Sequence, residues 1–374
     1  MPGPHRASVA PLALGLVACA LGLLASPVAH AGKTRNVVLI VTDGLRPEEA
    51  FTGADDTLLD QRLEYSWLKE SELRRRYWDA DAAKRRAMLL PFIWGTVARQ
   101  GQVFGNAAVG SHARVTNGYD ISYPGYSEMS TGVTDRAIDT NEYPVNPHVN
   151  VFEYLAGRPG FQGKVAVIGS WAKFHDIFNE KRSHLPVLSG DEMFDAADHS
   201  PRGELLRQLA MAAVVEPGDP MDPFVNVRAR DYLQKEQPRV LFVGFGDTDN
   251  WAHSGRYDLV LDSAHKVDAY IAGLWQLVQS MPQYRDQTTF IITTDHGRGH
   301  GLIDWQEHGD EYTGSENFWV AVMGPDTPPL GERHDVADVA QAQIAATIAD
   351  LLGEDFHLAV PAAAPSLLPA LSAH

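Results

Sequence analysis

Cysteine is almost missing: the only one in 374 residues is Cys19, inside an apolar stretch near the amino terminus. Once that stretch is removed, no disulfide, thiolate metal ligand or cysteine nucleophile is left. Positive charge is also scarce. Lys plus Arg number 31 against 48 Asp plus Glu, a formal net charge of −17, so nonspecific binding along a nucleic-acid backbone is disfavoured. A small anion can still be bound where a metal reverses the sign locally. Long apolar runs are lacking too. The one candidate, Val9 to Leu24, is interrupted by Pro11 and followed by Pro27, and no second such run appears, which argues against a stable membrane span.

The same run reads as an export signal. His5 and Arg6 precede it, and Ala29-His30-Ala31 offers a small-x-small cleavage site before Gly32. Leu16-Val17-Ala18-Cys19 resembles a lipobox, but apolar residues continue beyond Cys19. Soluble export, to the periplasm or outside the cell, is therefore expected, with a lipoprotein as the minor alternative. Residues 1–31 are read as a signal peptide and 32–374 as one catalytic domain, with a cap or elaboration at about 170–238. The oligomeric state is not legible.

What the chain does contain is a set of β-branched apolar runs: Asn36 to Val41, Lys164 to Ile168, Arg239 to Phe245, Thr289 to Ile292 and Phe318 to Met323. They lack strict alternation, as expected of parallel strands covered on both faces. Helical spacing separates them, as in Ala264, Val267, Ile271, Leu274 and Val278, and a late helix is expected from Val336 to Leu352, closed by Gly353. This alternation predicts an α/β fold, a doubly wound, mostly parallel sheet with helices on both faces. Ligands bind such sheets at the carboxyl ends of the strands.

Those ends carry the chemistry. Asp43 follows the first run; Asp249 and His253, four apart, follow the third; Asp295 and His296 follow the fourth. One turn of helix brings Asp249 and His253 toward one metal, while Asp295 and His296, joined by Asp43, can hold a second. His308, in a later loop, can return to the first. The pattern predicts a binuclear metallohydrolase. His175, His184, His265 and His300 lack such context and are left structural or unassigned.

A nucleophile should lie between the metals. In Ser122-Tyr123-Pro124-Gly125, Pro124 is expected to open a helix, leaving Ser122 just before its amino terminus, where free N–H groups and the dipole favour an anion. A metal makes an alkoxide accessible there. Ser127 and Thr116 are the rivals.

At these residues the chain resembles the alkaline phosphatase superfamily, most closely its nucleotide pyrophosphatase/phosphodiesterase-like branch. That branch has a Thr-Phe-Pro-Asn-His-Tyr segment ending ten residues later in Thr-Gly; here Ser122-Tyr123-Pro124-Gly125-Tyr126 ends likewise in Thr131-Gly132. The resemblance runs from about Asn36 to Gly353. It implies Ser122 as nucleophile, Asp43, Ser122, Asp295 and His296 around one zinc, and Asp249, His253 and His308 around the other. It also implies Asn141 as a contact for a nonbridging phosphate oxygen. Ser stands where that branch commonly has Thr, and Gly125 replaces Asn. A sulfatase is disfavoured, since the mature chain offers no cysteine to become formylglycine; a phosphoglycerate mutase-like role is disfavoured by secretion.

The expected activity is hydrolysis of a small phosphate ester through a phosphoseryl intermediate, with two Zn2+ (Mn2+ being the other candidate) as cofactors. A phosphodiester or pyrophosphate is slightly favoured over a monoester, because no Arg or Lys neighbours Ser122 in sequence. Arg46, Lys173, Arg256 or Arg298 folding into the site could reverse that preference. Trp171 or Trp251 offers a stacking surface. The alternative of another class is an exported metal-containing binding protein without turnover.

Overall fold

The chain divides into two compact units, Met1–Ala31 and Gly32–His374. Apart from Met1 and Gly3, the computed structural model describes residues 32–60, 69–194, 198–213 and 221–372. The predicted signal peptide lies outside them. Among the described residues no helix is long and apolar enough to cross a membrane.

Among the described residues of the second unit ten strands form: β1 (Asn36–Thr42), β2 (Gln102–Phe104), β3 (Ala113–Arg114), β4 (Val165–Gly169), β5 (Val187–Ser189), β6 (Val240–Phe245), β7 (Thr288–Thr293), β8 (Val320–Met323), β9 (Gly331–Glu332) and β10 (Val339–Ala340). Eight of them make one sheet in the order β5-β4-β6-β1-β7-β8-β2-β9, and β10 pairs with β3 separately. β5, β4, β6, β1 and β7 are parallel. All five apolar runs became strands of this sheet. β8 differs in direction from the others, running antiparallel to both β7 and β2.

The double winding is visible residue by residue. Val38 and Ile40 of β1 face one apolar cluster with Leu261, Ala264, Val267, Ile271, Leu274 and Val278 of the Tyr257–Ser280 helix. Val37, Leu39 and Val41 face another, with Ile344, Ala345 and Ile348 of the Gln343–Leu351 helix and Tyr123, Tyr126 and Met129 of the Ser122–Thr131 helix. Each such aliphatic side chain contributes roughly 1.5–3 kcal/mol by leaving water. That is why the central strands read as uninterrupted apolar runs rather than alternating ones.

Two expectations need revision. The late helix starts at Gln343, not Val336. The residues before it are held by backbone pairing instead: Val336 N–H donates to Gly110, Val339 N–H to His112, and the Gln343 side chain accepts from Ala340 N–H. Residues 170–238, expected as a cap, are partly built into the layers. They supply the edge strand β5, parallel to β4, and the Asp222–Lys235 helix, which packs on β4, β6 and the Tyr257–Ser280 helix.

Candidate metal centre

β6, β1 and β7 are neighbours at the middle of the sheet and run parallel. The chain therefore delivers Asp43, Asp249 and Asp295 to one edge. The structure forms two groups there, Asp43, Asp295 and His296, and Asp249, His253 and His308, each with ligand-type atoms within 4.8 Å of one another. This is the division expected from sequence.

In the first group, one oxygen of each carboxylate is already engaged. Tyr126 Oη donates to Asp43 Oδ2 at 2.9 Å, and Gly44 N–H donates to Asp295 Oδ1 at 3.1 Å. The remaining oxygens, Asp43 Oδ1 and Asp295 Oδ2, are buried with no hydrogen-bond partner. Each lies 3.4 Å from His296 Nε2. His296 Nδ1 donates to the Gly297 carbonyl at 2.7 Å, which frees Nε2 to act as a ligand. Ser122 Oγ stands 3.3 Å from the same Nε2. Two orphaned carboxylate oxygens, an imidazole nitrogen and a hydroxyl thus converge on one point. Buried charge of one sign is costly unless a cation meets it, and a divalent metal with mixed oxygen and nitrogen ligands fits this donor set.

The electrostatics agree. Burial pushes Asp43 up, and Asp249 adds to the rise. Burial, then the neighbouring Asp43, hold Asp295 well above the usual carboxylate range. Burial opposes charge on His296, but Asp295 and Asp43 outweigh it and raise the imidazole to about 9. A proton is thereby retained where the carboxylates demand positive charge.

In the second group His253 Nε2 lies 3.3 Å from Asp249 Oδ2 and 3.0 Å from His308 Nε2. His253 Nδ1 faces Glu307 at 3.3 Å, an arrangement that orients a ligating imidazole. His308 is held well below its ordinary value by burial and then by His296, so it is a neutral ring with a lone pair to offer. It stacks on His296, centroids 3.9 Å apart, linking the two groups. Arg298 donates to Asp249 Oδ1. Burial raises the Asp249 carboxyl, but Arg298 and His253 outweigh it and hold it well below the usual range.

The Ser122–Thr131 helix begins two residues earlier than expected, with Ser122 as its first residue and Pro124 as its third. Proline is tolerated there because the first turn's N–H groups have no helical acceptor. The N–H groups expected to receive an anion are partly spent: Tyr123 N–H donates to Asn141 Oδ1 at 2.8 Å, Pro124 has none, and Gly125 N–H returns to Ile121. Asn141 therefore sits at the helix start with its side-chain oxygen committed.

Two residues fix this helix against the strands. Gly125 permits close approach, since a Cβ there would lie 2.6 Å from the Asp295 carbonyl oxygen. Buried Glu128 accepts from Thr116 N–H and hydroxyl, Asn117 N–H and side chain, and Ala342 N–H.

Both rivals are engaged with other partners: Thr116 donates to Glu128, and Ser127 Oγ accepts from Asn146 at 2.9 Å. His265 bonds the Leu89 carbonyl, His175 meets Glu180 and His300 meets Glu48, so none joins the cluster. Of the four cations named from sequence only Arg298 does; Arg46 pairs with Glu49, Lys173 with Glu142 and Arg256 with Asp258. Trp171 lies beside Tyr126, centroids 6.5 Å apart, whereas Trp251 packs on the core. Sequence reasoning missed Tyr126, although its position four after Ser122 places it on the same helix face. It also missed Glu307, which carries no local signal.

A profile described as type I phosphodiesterase / nucleotide pyrophosphatase matches residues 41–360. GPI ethanolamine phosphate transferase 1 of Emericella nidulans is 26% identical over 355 residues, covering 86% of this chain and 33% of that protein. The chain spans about a third of the length of the curated relatives it matches. Among solved structures, a phosphonate monoester hydrolase from Silicibacter pomeroyi is 14% identical with a TM-score of 0.54, covering 91% of this chain and 77% of that one. A putative sulfatase from Bacteroides thetaiotaomicron is 13% identical with a TM-score of 0.54, covering 90% and 74%. At such identities these likenesses concern the fold.

Proposed function

The chain belongs to the type I phosphodiesterase / nucleotide pyrophosphatase family, and on that premise we propose that it is an exported two-metal phosphohydrolase of the alkaline phosphatase superfamily, cleaving small phosphate esters through a phosphoseryl intermediate. The observation that carries this reading is the convergence of Asp43 Oδ1, Asp295 Oδ2, His296 Nε2 and Ser122 Oγ at a buried point.

Asp43, Asp295, His296 and Ser122 would hold one ion, and Asp249, His253 and His308 the other. Zinc suits the mixed imidazole and carboxylate donors, with Mn2+ as the alternative. When bound, the ions supply the Lewis acidity that lowers the serine hydroxyl pKa and stabilises the oxygens of an in-line displacement. Ser122 Oγ forms the new bond to phosphorus as the bond to the leaving alcohol breaks. Water then attacks the phosphoseryl group, breaking the Oγ–P bond and restoring Ser122. Tyr126 holds Asp43, and the Gly297 carbonyl holds His296 in the tautomer this requires. Asn141, through its amide nitrogen, is the proposed contact for a nonbridging oxygen, and Trp171 the stacking surface.

A diester or pyrophosphate is the first choice of substrate, because no lysine or arginine is supplied by the Ser122 segment. One observation favours a monoesterase instead. With two divalent ions, three carboxylates and a serine alkoxide the centre is neutral, and Arg298 then leaves one positive charge in surplus, which a monoester dianion matches better. Comparing kcat/KM for a nitrophenyl monoester and the matched diester decides between them: a monoester advantage of tenfold or more overturns the diester choice. Chelation should abolish turnover of either and Zn2+ restore it. Full activity in metal-free protein would sink the mechanism.

A further inference from the structure

Arg298 lies three residues beyond Asp295, between two glycines whose backbone is closely packed. A Cβ on Gly297 would lie 2.4 Å from the carbonyl oxygens of both Gly314 and Asn317, and Gly299 is pressed in the same way on Asp304. Its guanidinium is 2% exposed. Nε donates to the Trp305 carbonyl at 3.0 Å, Nη2 to the Gln306 carbonyl, and Nη1 to Asp249 Oδ1. A guanidinium committed to two backbone carbonyls and one carboxylate cannot swing away, and arginine does not shed its proton.

The two groups of ligands consequently differ in charge. The first joins two carboxylates, Asp43 and Asp295, to one imidazole and Ser122. The second has one carboxylate, Asp249, whose Oδ1 is shared between Arg298 and His308, the latter at 3.7 Å. Asp249 Oδ2, facing His253, is the oxygen left for a metal. Counting formal charge, the first group offers two negative charges before Ser122 ionises, while the second offers one on Asp249 that Arg298 cancels, with Glu307 standing behind His253 at its Nδ1. Like charges at close range in a water-poor site repel strongly.

We propose that Arg298 is a resident cation of the Asp249 centre which keeps that centre's metal loosely held and exchangeable, while the Asp43 centre binds its metal tightly. This rests on the two-metal reading given above. The second ion would then come and go with free metal concentration, and activity would follow the occupancy of that one centre.

The test is a Zn2+ titration of the chelator-stripped full-length chain against a chromophoric zinc indicator. Wild type should take up zinc in two steps whose affinities differ by at least a hundredfold, and His253→Ala should remove the weaker step alone. Arg298→Met, similar in length and uncharged, should tighten the weaker step by tenfold or more and leave the tighter one unchanged. Arg298→Lys, which retains the charge, should not tighten it. Two equal steps in wild type, loss of the tight step in His253→Ala, or an unchanged or weakened loose step in folded Arg298→Met each overturns the proposal. The wild-type and His253→Ala titrations can still overturn it where Arg298→Met does not fold. No zinc uptake at all overturns the two-metal reading itself, a result distinct from two steps of equal affinity.

Discussion

Replacing Gly125 by alanine adds one methyl group where the Ser122–Thr131 helix crosses the backbone of Asp295. The new Cβ would lie 2.6 Å from the Asp295 carbonyl oxygen, and a carbonyl at a strand end is not the flexible tip of a side chain. That oxygen is also held, since Gln341 Nε2 donates to it at 2.7 Å. Relief requires the helix to move by roughly 0.8 Å to reach ordinary contact, and overpacking of this kind costs about 1–3 kcal/mol. Alanine's better helix propensity returns at most about 1 kcal/mol, so net destabilisation is expected. Activity should suffer more than stability. Ser122 lies three residues away on the same helix, and displacement on the scale of 1 Å can cost about 10²-fold in rate. Thermal melts, zinc content and kcat/KM on a nitrophenyl ester measure the three effects separately. The expected result is a Tm lower by a few degrees, at least one zinc retained, and kcat/KM down by tenfold to a hundredfold. Wild-type turnover with an unchanged Tm would refute the contact and the positioning argument built on it.

Ser122→Ala should retain zinc at the Asp43 centre, where two carboxylates and His296 remain, yet lose several orders of magnitude in turnover. Ser127→Ala removes only the acceptor for Asn146, so it should cost about 1 kcal/mol in denaturant unfolding and leave turnover near wild type; the reverse ranking would identify the wrong serine. Asp268, far from the metals in sequence, accepts from Phe92 and Ile93 N–H at 2.7 and 2.9 Å, and burial nonetheless raises it from 3.8 to about 6. An acid raised on folding stabilises the fold fully below its unfolded pKa and loses that contribution as pH climbs through the folded value. Wild type should therefore lose up to about 3 kcal/mol relative to Asp268→Asn between pH 4 and 6; parallel stability curves over that range would refute it.

The centre was legible where chemistry follows directly from a buried strand. Asp43, Asp249 and Asp295 stand within a few residues of the ends of β1, β6 and β7, so a parallel sheet brings them together whatever the loops do. Arg298 was less legible, because its partners at Asp249, Trp305 and Gln306 depend on how a loop folds back, and in sequence it resembles any surface cation. The start of the Ser122 helix was misplaced because proline is acceptable throughout the first turn. The late helix lost its first residues to pairing between β10 and β3, a contact across more than two hundred residues that no local pattern announces.

The position of β1 bears on how the protein comes to be made. It is the first strand in the chain, yet its two partners begin at Val240 and Thr288. For most of synthesis an apolar strand, Asn-Val-Val-Leu-Ile-Val-Thr, has both edges unpaired, the state in which strands pair with the wrong chain. Asp295 and His296 of one group and His308 of the other are made later still, so neither group can be assembled on a nascent amino-terminal fragment. On the two-metal reading, metal capture would thus be a late event that reports a finished sheet, and recovery of active protein should depend more on a holding chaperone than on metal supplied during translation.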